Sequence, residues 1–154
     1  MAPREVVVVD VGDVTTLARL LAEVRGRGGW VNVRPEVAED VAVPPTPTPM
    51  AVFSKRGPAV PLATWTPEVA GRRAEPATVG VQHGVGSALR DRLVGTAAQL
   101  PEGWRVVGDH PRRGLVVQVP AGVADEVVAA WLLEVVDLAS VVPHTGRVEV
   151  LVYG

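Results

Sequence analysis

Apolar and polar positions follow one another along this chain with periods that change from segment to segment, and those periods predict most of its elements. Residues 5–11 contain an unbroken run, Val6 to Val9, which predicts a strand buried on both faces. Val14, Leu17, Leu20, Leu21 and Val24 then recur at helical spacing, opposite Thr16, Arg19 and Glu23, with Asp13 placed as the N-cap. That helix ends at Arg25-Gly26-Arg27-Gly28-Gly29. Residues 30–34 alternate large apolar with polar side chains, as a short strand does, until Pro35 stops it.

Between residues 35 and 76 the pattern dissolves, because nine of the chain's 14 prolines lie there. Within a loop spanning 35–50, Pro44-Pro45-Thr46-Pro47-Thr48-Pro49 reads as an exposed polyproline II spacer. Two weak strands, 51–54 and 60–66, are expected after it, joined by Lys55-Arg56-Gly57-Pro58, and Pro61 would confine the second to a sheet edge.

Regular periods return in the second half: strand 78–83, helix 87–100, strands 104–109 and 115–119, helix 124–139, strand 147–153. This βαββαβ order in residues 77–154 is the ferredoxin-like split plan, an antiparallel sheet with two helices on one face. The whole chain, 1–154, is therefore expected to be one α+β domain, in which residues 1–76 form a βαββ-like half that shares the core. Gly29-Trp30-Val31 echoes Gly103-Trp104-Arg105, and Lys55-Arg56-Gly57 echoes Arg112-Arg113-Gly114. These echoes point either to a duplication or to chance likeness in a biased composition.

The helix at 124–139 carries only Asp125, Glu126, Glu134 and Asp137 as charges, and the last three fall on one stripe. Val128, Trp131, Leu132, Val135 and Val136 make most of its circumference apolar, so it needs a second partner besides a sheet. That partner is either the first half of the chain or an identical subunit in a homodimer.

Composition removes several function classes. The 154 residues are 47% hydrophobic and 21% charged, enough apolar mass for a real core. Lys plus Arg against Asp plus Glu is 9 to 9 up to residue 76 and 6 to 8 after it, so neither half has the basic excess of a nucleic-acid or anionic-membrane binder. With no cysteine there is no disulfide, thiolate nucleophile or Cys-ligated metal. Residues 1–13 resemble neither a signal peptide nor a membrane span, which makes a cytoplasmic location the expectation. The chain has 14 Arg to one Lys, 34 Val and no Ile, the mark of GC-rich coding, so an arginine here signals a ligand less than it would elsewhere.

Candidate chemistry gathers at element ends. In the split plan the end of the 78–83 strand, the hairpin after 104–109 and the start of the last strand share one rim. That rim would hold His83, His110 and His144, with His83 and His144 as neighbours. The Gly84, Gly86 and Ser87 turn would offer helix N–H groups to an anion, and Arg112, Arg113 and Arg147 would add positive charge. The turn matches neither nucleotide fingerprint, and Ser87 reads better as a helix N-cap. The histidines lack the spacing of a metal site, and no cofactor is expected. The preferred reading is a non-enzymatic ligand-binding or regulatory module taking a small anion or a protein partner at this rim, or associating with itself through helix 124–139. The rival is a small hydrolase or isomerase with His83 or His110 as base and Arg112 or Arg113 as anion clamp. A purely protein-binding role for the Pro44 to Pro49 stretch is the third.

Overall fold

The computed structural model describes residues 1–45 and 57–154. The strand expected at 51–54, the Lys55-Arg56 part of its turn and most of the Pro44 to Pro49 spacer lie outside the described residues.

β1 (Glu5–Asp10) leads into α1 (Val14–Arg27) through the expected cap. The Asp13 carboxylate accepts from Thr16 Oγ1 at 2.7 Å and from Thr16 N at 3.1 Å, and these bonds, the hydroxyl first, hold its pKa below the ordinary carboxylate value. α1 buries Leu17, Leu20, Leu21 and Val24, the face its spacing predicts. The chain continues through β2 (Trp30–Pro35), β3 (Leu62–Thr66), β4 (Ala77–Gln82), the single helical turn α2 (Arg90–Leu93), β5 (Arg105–His110), β6 (Gly114–Val119), α3 (Asp125–Ala139) and β7 (Arg147–Tyr153).

The seven strands form one sheet in the order β1-β7-β2-β3-β4-β6-β5, every pair antiparallel. The α+β class and the antiparallel sheet agree with the pattern of the sequence. The ferredoxin-like arrangement of residues 77–154 does not hold, because the sheet is larger and β7 is not beside β4. Connecting β1 to β2 through α1 leaves those strands parallel with a gap one strand wide. β7 fills it: Val150 faces Val7 on one side and Val33 on the other, and Val148, Val150 and Val152 are fully buried. The free edge of β4 is taken by its chain neighbour β3.

α1 packs against β2 and β7, α3 against β2 and β3, and the two helices against each other. Their shared face of the sheet is the core, with Val33, Ala63, Trp65, Val79, Leu115 and Val117 all inaccessible to water. Among the described residues the opposite face carries no helix. Hence the Val6 to Val9 run does not mark a strand buried on both sides: β1 is an edge strand whose Val6 and Val8 are 53% and 45% exposed. α1, from the first half of the chain, supplies the second cover that α3 requires, and Val128, Leu132, Val135 and Val136 are sealed.

Two further expectations are corrected. Pro61 does not force β3 to an edge, since it stands one residue before the strand and costs the ladder no N–H; β3 lies between β2 and β4. The helix expected over 87–100 contracts to α2, because Gly95 adopts φ 76° and turns the chain away. Residues after it are tied instead to α3, where Trp131 Nε1 donates to Ala98 O at 2.9 Å. No helix among the described residues is long and apolar enough to cross a membrane.

Candidate functional site

The strand directions put the ends of β4 and β5 and the starts of β6 and β7 at one end of the sheet, as the split plan requires, so the three histidines do share that end. They do not converge. β2 and β3 stand between β7 and β4, so His83 and His144 are about 14 Å apart by strand spacing rather than neighbours.

Each imidazole performs the same local task. Nδ1 of His83, His110 and His144 accepts the backbone N–H two residues ahead, from Val85 at 3.4 Å, Arg112 at 3.1 Å and Gly146 at 3.1 Å; the N–H of Arg113 also reaches His110, at 3.3 Å. An accepting Nδ1 places the proton of the neutral ring on Nε2. His144 uses it on Asp137 Oδ1 at 2.6 Å. His83 is completely buried, and its Nε2 has no partner among the described residues. Burial is the main reason its pKa lies below the ordinary imidazole value; Asp109 opposes that shift and Arg92 adds to it.

The anion seat expected at the start of the 87–100 helix is filled by the protein itself. Asp109, on β5, accepts from Leu89 N at 2.8 Å and Arg90 N at 3.1 Å and so caps α2. Ser87 does not cap it; its hydroxyl reaches Ala88 O, at 3.5 Å. Gly84 answers to a close passage of chain, since a Cβ there would lie 2.8 Å from Pro58 O, while Gly57 N donates to His83 O at 3.0 Å. Gly86 sits in an exposed bend. Arg147 is bound to Glu36 at 2.7 Å, Arg112 is engaged through its backbone with His110, and Arg113 is exposed. No group of three His, Asp or Glu side chains among the described residues is arranged to hold a metal.

A second region, at the other end of the sheet and about 20 Å away along β4, has the shape that the rim lacks. A cavity of about 530 Å³ opens between the β3–β4 connection and the loop from β6 to α3. Its walls are Val69, Pro76, Val119, Val123 and Val128. Trp65, in the core beneath, borders it, and its indole Nε1 has no acceptor among the described residues. The Arg25 guanidinium lies 5.4 Å from the centre of that ring. Arg25 Nε donates to Glu68 Oε1 at 2.7 Å, and Nη1 is in close contact with Asp125 Oδ1. Partial burial opposes its charge, yet the bonds to Asp125 and Glu68 outweigh this and raise its pKa.

Sequence reasoning missed this region because its walls come from α1, β3, β4, β6 and α3, joined by no motif. The one available signal was Pro67-Glu68 and Glu75-Pro76, acidic residues beside prolines that bracket a turn. The backbones of Val69 and Glu75 close that turn with two bonds of 2.9 Å. Comparison of the chain with protein-family models, with curated proteins and with solved structures yields no match, so the chemistry of these two regions has to be read from the residues themselves.

Proposed function

We propose that this protein is a non-enzymatic binding module for a small, largely apolar molecule, held in the cavity between the β3–β4 connection and the β6–α3 loop. The observation that carries this reading is the cavity itself: its volume of about 530 Å³ lies within the range of small-molecule sites, and its walls are mostly apolar, with Arg25, Glu68 and Glu75 as the charged groups among them. Among the described residues no histidine, hydroxyl or amine lines it, and of its two carboxylates Glu68 is bound to Arg25, which leaves Glu75 as the one group there able to act as a base. Support also comes from the rim, where each imidazole is committed to closing its own turn and the helix start to Asp109.

The test is amide chemical-shift mapping with a panel of apolar fragments on the isotope-labelled protein. Perturbations are expected to cluster on Val69, Glu75, Val119, Gly122 and Val123, and to vanish in Ala74→Trp, which places an indole from an exposed position across the opening. Shifts confined to the residues around His83 and His110, or no saturable shift with any fragment, would overturn the assignment.

A further inference from the structure

We infer that the occupant of this cavity carries a protonated amine, with its apolar part between Val69, Val119 and Val123 and its ammonium group at Glu75. The inference deepens the binding reading above and rests on it. Its starting point is that this corner of the molecule already binds one cation, its own Arg25. The guanidinium is held by the face of Trp65 and by two carboxylates, Glu68 and Asp125, so its positive charge is spent within the protein. Glu75 also lines the cavity, and its carboxylate has no side-chain partner among the described residues. Among the charged side chains that line the cavity, two carboxylates, Glu68 and Glu75, thus stand against one guanidinium, which Asp125 also engages; Arg72 and Arg73 of the same connection do not line it, and the excess belongs to Glu75. An anionic ligand would enter against that excess beside low-dielectric walls, where like charges interact more strongly than in water. An amine would meet it as the missing partner. The Trp65 face is taken by Arg25, which leaves Glu75 as the docking group for the ligand's charge.

The experiment is a matched series with one eight-carbon tail and three head groups, octylamine, octanol and octanoate, titrated calorimetrically into the intact protein at pH 7 and low salt. The expected order is amine, then alcohol, then carboxylate, with the amine about fivefold tighter than the alcohol, as one partly screened ion pair provides. Glu75→Gln, a change at an exposed position, is expected to bring octylamine down to the affinity of octanol while leaving octanol unchanged. Added salt is expected to narrow the same gap. Octanoate binding as tightly as octylamine, or an amine preference that survives Glu75→Gln, would refute the head-group inference while leaving the cavity as a binding site. Failure of all three compounds to bind, or equal binding to Ala74→Trp, would instead refute the cavity reading on which it rests.

Discussion

His83 shows how much one buried side chain can commit a protein to a pH range. Its imidazole is fully inaccessible, bonded through Nδ1 to Val85 N, and its neighbours Gly57 and Gly84 have no room for a Cβ, since one would come within 2.5 Å of His83 O and the other within 2.8 Å of Pro58 O. Because burial lowers the folded-state pKa, the unfolded chain takes up a proton first as the pH falls. The stability linked to this group is therefore complete above the unfolded value, about 6.5, and is lost progressively below it. Urea unfolding at pH 7.5 and 5.5 should show a drop in midpoint for the wild type. The drop should be smaller in His83→Asn, whose Oδ1 can still accept the Val85 N–H; equal drops would show that His83 is not the sensor. This role was half legible in the sequence. The position of His83 at a strand end was readable, whereas its burial follows from the passage of residues 57–59 against 83–84.

Asp109 illustrates the same division for an element. α2 is too short to stand on its own, and its N-terminus is capped from β5 rather than by a residue in its own sequence. Asp109→Ala should cost about 1 kcal/mol, the usual loss of a cap, and should speed amide exchange at Leu89 and Arg90 before any other site. Asp109→Asn keeps one acceptor and should recover part of the loss, and unchanged exchange in the alanine variant would contradict the cap. Elements that do carry their own signals were legible. Asp13 caps α1 from the adjacent residue, and His110 faces Gly114 across the expected hairpin, because both arrangements are decided within a few residues. α2 was over-read for the converse reason: the apolar spacing of 87–100 suits a helix, but Gly95 in the left-handed region ends it within one turn.

For the molecule as a whole, the place of β7 is the decisive fact. It is the last strand in the chain, and it pairs with β1 and β2 and with nothing in residues 77–146. Residues 77–154 expressed alone are thus expected to lack a native sheet, with poor amide dispersion, even though their pattern reads as a self-contained βαββαβ unit. Native-like spectra from that fragment would show that β7 has a second place to go. The cavity has a similar origin, since its walls come from five elements and exist only once the sheet has its order. By itself the sequence determined the α+β class, nine of the ten elements among the described residues to within a residue or two, and the face that α1 buries, because periodicity, caps and turn residues act over short stretches of chain. Tertiary structure alone decided the strand order, the exposure of Val6 and Val8, the burial of His83 and the gathering of Arg25, Trp65, Glu68 and Glu75 around one cavity. The physical reason is that a strand's partners are settled by which gap in the sheet fits its direction and buries its apolar face, a sum over segments far apart in the chain.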